Sequence, residues 1–240
     1  MQEISVSTFK SEMAGLANPE KAKILSSFFK TGKGEYGEGD IFLGIAVPMQ
    51  REVAKKYSSL NFTEVKNLLK SNTHEHRLTA LLILVQQFKR VDEKQREKIV
   101  DFYLASTKYI NNWDLVDLSA DKILGEYLCA VPSKERKILR KLAKSKNIWE
   151  RRISMLSTFA LIKKNDFDDA LKISELLLND RHDLIHKAVG WMLREIGKRD
   201  LAAEEKFLKK HFKKMPRTML RYAIEKFPEK ERRLYLQSNY

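Results

Sequence analysis

The sequence predicts an all-α protein, a superhelical stack of antiparallel helix pairs enclosing a concave basic groove, and two observations carry that reading. Only nine glycines and five prolines occur in 240 residues, so the chain lacks the breaks that punctuate sheets and hairpins, while Lys, Glu and Leu supply much of the remainder. Apolar residues also recur at helical spacing in segments that repeat along the chain, and a fixed period near 35 to 40 residues is the mark of a solenoid.

Five longer amphipathic segments line up at residues 74–88, 111–128, 147–164, 183–198 and 216–227. Shorter ones at 62–71, 93–107, 133–145, 167–179 and 202–215 alternate with them as partner helices. The register is checked by Trp113, Trp149 and Ile185, which stand 36 residues apart each time. A polar position follows the same period through Arg77, Asp117, Arg152, Lys187 and Arg221, which reads as one column of side chains on successive inner helices. Thr63, Asp92 and Ser133 are capping residue types placed at segment starts, and Pro132 and Pro216 fall at boundaries. Helix pairs stacked in this way resemble HEAT repeats. The expectation is a single domain over 1–240, with less regular helices in 1–60 and regular repeats over 61–240, because no pair buries its apolar face alone.

The first 60 residues also hold the one glycine-rich stretch, residues 32–48. Gly32, Gly34 and Gly37 satisfy G-x-G-x-x-G, but no β-branched strand precedes them, and Glu35, Glu38 and Asp40 would repel a pyrophosphate. A Walker loop fails for want of Gly-Lys-Ser/Thr. The stretch is expected to be a loop between helices, turning at Gly44 and Pro48.

Charge points to the partner class. The chain holds 46 basic and 32 acidic side chains, a formal +14, and the excess is uneven: residues 1–120 carry 17 against 15 and residues 121–240 carry 29 against 17. The second half is built to face a polyanion, unless the surplus lysines serve only solvated faces. One cysteine, Cys129, excludes an internal disulfide framework and a thiolate metal site. The start, MQEISVSTFKSEM, has no signal-peptide pattern and no stretch reaches the length of a membrane span, so a soluble cytoplasmic protein is expected, nucleoid-associated in a prokaryote.

The sharpest local feature is Asn112-Trp113-Asp114-Leu115-Val116-Asp117. Trp113 and Asp117, four apart, share a helix face. An Asp in a column with Arg77, Arg152 and Lys187 is ordinarily a structural ion pair. Two features weigh against that alone: a groove that only grips phosphate gains nothing from a central carboxylate, and Trp113 and Trp191 put two large rings by the same column. Trp149 reads as core. His182 and His186, four apart, lack a third ligand, so no metal is expected; His74 and His76, two apart, point away from each other. Cys129 sits in the apolar run LGEYLCAV as an inert thiol. No triad for nucleophilic catalysis is present.

The strings FFKTGKGEYGEGDIFLGI, NNWDLVD, NIWERR and KAVGWMLREIGK resemble the AlkD-type DNA alkylation repair glycosylases from about residue 10 to residue 230. That resemblance implies a HEAT-like solenoid that wraps duplex DNA and cleaves the N-glycosidic bond of cationic N-alkylated purines, of the 3-methyladenine and 7-methylguanine type, without drawing the base into a pocket. By the match, Asp117 is the catalytic carboxylate and Arg152 its partner, and Trp113 and Trp191 flank the lesion. An N-terminal aromatic completes the family's site, with Tyr36 taken for it, and Phe29 or a neighbour as the alternative. Arg77, Lys187 and Arg221 are left to hold phosphates. No cofactor is implied; the partner is alkylated duplex DNA and the protein a monomer. The competing reading is a non-catalytic scaffold that binds DNA or RNA through its basic groove.

Overall fold

A computed structural model describes residues 4–237, and these are helical throughout apart from turns and one isolated parallel bridge between Ile41 and Thr73. Contacts divide them into two compact units that meet in sequence at Ser119 and Ala120.

The first unit contains α1 (Val6–Gly15), α2 (Pro19–Phe28), α3 (Val47–Lys56), α4 (Phe62–Leu69), α5 (His74–Arg90), α6 (Glu93–Ala105) and α7 (Trp113–Asp117). Its centre is α5, on which α3, α4, α6 and α7 all pack. The run Leu-Thr-Ala-Leu-Leu-Ile-Leu-Val (78–85) is apolar but for Thr79, whose hydroxyl donates to Gln50, and every residue of it is buried, as a helix flanked on several sides requires. Each buried Leu, Ile or Val contributes about 1.5–3 kcal/mol of transfer free energy. Asp92 caps α6 through the Gln95 amide, as its position promised. Thr63 does not cap α4. Asn61, two residues earlier, accepts from the Thr63 and Glu64 amides while Glu64 returns to the Asn61 amide, a reciprocal pair that Thr63 cannot offer.

The second unit opens with a π-helical turn, Asp121–Gly125, followed by α8 (Glu126–Leu128), α9 (Lys137–Ala143), α10 (Ile148–Lys163), α11 (Asp168–Leu176), α12 (Asp183–Gly197), α13 (Leu201–His211), α14 (Arg217–Ala223) and α15 (Glu229–Gln237). The segment 111–128, expected as one helix, is therefore interrupted. Ser119 Oγ donates back to the Leu115 carbonyl, taking an acceptor from the helix ladder. The π turn brings Gly125 so close to α10 that a Cβ there would lie 2.4 Å from the Ser157 carbonyl oxygen. Ser133 heads a 3-10 turn, Ser133–Glu135, rather than α9 itself. The repeat itself is as expected: α10 packs on the π turn, α9, α11 and α12, and α12 on α10, α13 and α14. All of the +12 excess of residues 121–240 belongs to this unit.

Gly190 fixes the distance between α12 and α14. A Cβ at that position would lie 2.4 Å from the Met219 carbonyl oxygen and 2.5 Å from the Tyr222 Cβ, both held by α14. Gly190→Val forces the helices apart, and the expected cost is about 2–4 kcal/mol in urea-unfolding free energy, above the 1–3 kcal/mol usual for overpacking because backbone must move. An unchanged midpoint and slope would show that the two helices separate freely. No helix among the described residues is long and apolar enough to cross a membrane.

Candidate active site

The short helix α7 separates its residues cleanly. Asn112, itself fully buried, caps the helix by accepting from the Trp113 amide at 2.8 Å. Leu115 and Val116 turn into the core at 0% exposure, and Asp114 is 6% exposed. Trp113 and Asp117, one helical turn apart, are left on the partly exposed edge. This is the shared face that their spacing implied.

Trp113 is one member of a stack. Its ring lies on Phe29 at 5.2 Å and 18°, Phe29 lies on Phe42 at 5.2 Å and 17°, and Phe42 lies on the His74 imidazole at 4.5 Å and 19°. Such offset stacking adds about 0.5–1.5 kcal/mol per pair beyond area burial. Phe29 and Phe42 are buried, whereas Phe28, set edge-on to Trp113 at 5.9 Å, is 61% exposed. Ile24, one turn before Phe28 on α2, is also exposed. An aromatic ring thus stands in solvent directly beside Trp113.

The far end of the stack is charged. His74 Nε2 is 2.8 Å from Asp114 Oδ2, and its Nδ1 is 3.3 Å from Asp40 Oδ2. Arg77 donates to the same Asp40 oxygen at 2.6 Å and to the Ser71 carbonyl at 2.7 Å, and it is 4% exposed. Arg77 was expected among the phosphate-holding residues, and the structure corrects this: its guanidinium is buried and committed to Asp40, so it anchors the loop rather than facing solvent. His76 turns elsewhere, to Ser71 Oγ and edge-on to Phe9, as its two-residue offset from His74 requires.

The glycine-rich loop explains itself through Glu75. This buried carboxylate accepts from the backbone amides of Leu43, Gly44 and Ile45. Within the loop, Glu35 and Glu38 accept from the Gly32 and Gly34 amides, so the loop supplies its own anions to its own N–H groups. Gly37 packs where a Cβ would meet the Phe29 carbonyl oxygen at 2.6 Å, which lets the turn lie against the stack. Tyr36, half-buried, sits on this turn.

The remaining candidates lie in the second unit. Arg152 is buried at 5% exposure on α10 and donates to the Leu184 carbonyl. Trp191, on α12, is half-buried; its indole N–H donates to Glu195 at 3.3 Å and its ring lies 5.9 Å from Phe159. Lys163 covers the other side of the neighbourhood, its ammonium 4.1 Å from the Phe159 centroid and 2.9 Å from Asp121 Oδ2. Lys187 is ion-paired with Asp183 at 2.7 Å, and Arg221 is exposed on α14.

Trp149 is core, at 7% exposure. His182 caps α12 by accepting from the Leu184 amide, and His186 contacts the Asp180 carbonyl, so each ring has its own local partner. Cys129 is half-buried rather than sealed; burial nonetheless pushes its thiol up, away from the reactive thiolate.

Sequence reading missed Asp40, Glu75, Asp114 and Phe28. A usable signal existed for two of them: Asp114 is an acid between apolar residues that the helical pattern buries, and Phe28 precedes Phe29 at the end of an amphipathic stretch, whereas Glu75 stands between two histidines.

A model of the DNA alkylation repair enzyme family matches residues 9–227. Among solved structures, the chain is similar to a predicted DNA alkylation repair enzyme from Enterococcus faecalis, with a TM-score of 0.70 and 19% identity over 89% of this chain and 97% of that one. It is also similar to AlkD2 from Streptococcus mutans, with a TM-score of 0.56 and 18% identity over 88% of this chain and 99% of that one. No curated protein matches. At these identities the solved structures establish the all-helical repeat fold, and the family rests on the match that spans nearly the whole chain: this protein belongs to the DNA alkylation repair enzyme family.

Proposed function

We propose that the protein is a DNA glycosylase that releases positively charged N-alkylated purines from duplex DNA. The observation that carries the reading is the edge of α7, where the half-exposed Trp113, with Phe28 beside it, stands one turn from the Asp117 carboxylate. Alkylation makes the purine a cationic leaving group, and positive charge grows on the deoxyribose as the bond breaks. A carboxylate set against C1′ balances that charge and can orient the attacking water, as in oxocarbenium-like glycoside hydrolysis. Aromatic faces attract a cationic base and sugar at about 0.5–2 kcal/mol each, more where water is excluded. On the second unit, Trp191 is assigned to the lesion, Arg152 to support of the carboxylate's role, and Lys187 and Arg221 to phosphates. The chain acts as a monomer and needs no cofactor.

Phe28 takes the N-terminal aromatic role that the sequence offered to Tyr36, because its ring is exposed and touches Trp113. Phe28→Ala is expected to lower release of 7-methylguanine by about three- to thirtyfold, the loss of one cation–π contact. If Phe28→Ala is silent and Tyr36→Ala is not, the role returns to Tyr36. Mass spectrometry of bases freed from methylated duplex DNA by the wild-type protein tests the function itself; release of none leaves the scaffold reading.

A further inference from the structure

The stack that ends on Trp113 begins on a buried histidine held between two acids. Carboxylate oxygens of Asp40 and Asp114 only accept hydrogen bonds, so both nitrogens of His74 must donate, and that requires the imidazolium. Two anions, Asp40 and Asp114, then face two cations, His74 and Arg77, all at or below 8% side-chain exposure. An unmatched charge at such depth would be costly. Asn111 Nδ2 adds a donor to the second Asp40 oxygen at 3.2 Å.

These groups come from three segments: Asp40 from the glycine-rich loop, His74 and Arg77 from α5, and Asp114 from α7. Asp114 sits between Trp113 and the turn that carries Asp117. We propose that His74 is a positioning residue, a clamp between loop and helix that fixes the plane of the Trp113 ring through the Phe42–Phe29 stack and fixes α7 through Asp114. Its effect on base release rests on the glycosylase reading above; its hold on Trp113 stands without it.

The clamp responds to pH with a defined sign. The groups facing His74 are Asp40 from the loop, Asp114 from α7, Arg77 on its own helix, and the uncharged rings of Phe29 and Phe42. Burial disfavours the imidazolium, but the hydrogen bonds to Asp114 and Asp40 and the Asp114 charge outweigh burial and the repulsion from Arg77, so the His74 pKa lies above the ordinary value. Burial likewise pushes the Asp40 carboxyl up, and His74, Arg77 and Asn111 reverse that to a net lowering. A group with a raised folded-state pKa contributes stability that is fully present below its unfolded value and is lost as pH rises through the folded one. Deprotonation strips one ring nitrogen of its proton and releases one carboxylate.

The test uses the 15N-labelled full chain, whose three tryptophans give three indole N–H signals; Trp113→Phe assigns one by its disappearance. The expected result is a Trp113 indole signal that titrates together with the His74 ring, at a midpoint above the ordinary histidine value of about 6.5. In His74→Gln that titration vanishes, and single-turnover base release falls about 10- to 100-fold with little change in DNA affinity, the signature of a displaced catalytic group. A Trp113 signal that stays fixed while His74 titrates overturns the proposal, and that reading needs only the wild-type chain should His74→Gln fail to fold. A wild-type protein that frees no base but shows the coupled titration leaves the clamp standing and removes the glycosylase reading.

Discussion

Asp117→Asn is expected to reduce release of 7-methylguanine from alkylated duplex DNA by about 100- to 1,000-fold in single-turnover assays, equivalent to about 2.7–4 kcal/mol of transition-state stabilisation. Asparagine keeps the size of the side chain and one hydrogen-bonding oxygen, and the Asn112 cap of α7 does not involve position 117. What it loses is the negative charge, and in this chemistry the charge does the stabilising: the leaving purine departs neutral, and the positive charge it leaves behind is on the sugar. The same substitution removes a repulsion between the protein and the phosphate backbone, so affinity for unmodified duplex should stay level or rise. A purely structural Asp117 would give the opposite pair of results, full release with a lowered unfolding midpoint. Loss of both release and binding would also count against the assignment, since it would mean that the carboxylate holds the DNA rather than the reaction.

The helices, their order and the positions of Trp113 and Asp117 were legible because helical periodicity is a local property: an apolar face repeats every three to four residues whatever the rest of the chain does. Even the Trp113–Asp117 face needed only a spacing of four. The polar column was less dependable. It located Arg77 on a helix face, but not the loop that covers that face, and Asp40 reaches Arg77 from 37 positions away. His74 illustrates the same limit, because its two acids lie 34 and 40 residues from it on opposite sides in sequence. No periodicity encodes such a meeting. The break in 111–128 has a different cause, since it depends on Ser119 bonding back to Leu115 and on the close approach of Gly125 to α10.

The glycine-rich loop is where sequence and structure inform each other most, and Glu75→Ala should show it. Truncation removes the acceptor for the amides of Leu43, Gly44 and Ile45 together, and Glu75 is only 1% exposed, so water cannot readily replace it. Unsatisfied buried donors cost about 1–3 kcal/mol each, and with partial rearrangement the loss expected in urea unfolding is about 3–5 kcal/mol. Glu75→Gln separates charge from shape: it retains an acceptor oxygen but turns an N–H₂ toward the same amides, and its loss should fall between zero and that of Ala. Gly44 limits how the loop can adapt, because it has φ +81° and lies where a Cβ would be 2.2 Å from the Asn18 carbonyl oxygen. The loop therefore has one way to lie against α2, and Glu75 is what holds it there. Since α2 carries Phe28 and the loop carries Asp40, freeing this segment should also unseat the Trp113 stack. Glu75→Ala is then expected to lose base release at temperatures where its far-ultraviolet circular dichroism is still that of the folded protein. Parallel loss of helicity and release along one melting curve would instead make Glu75 a stability residue with no bearing on the site.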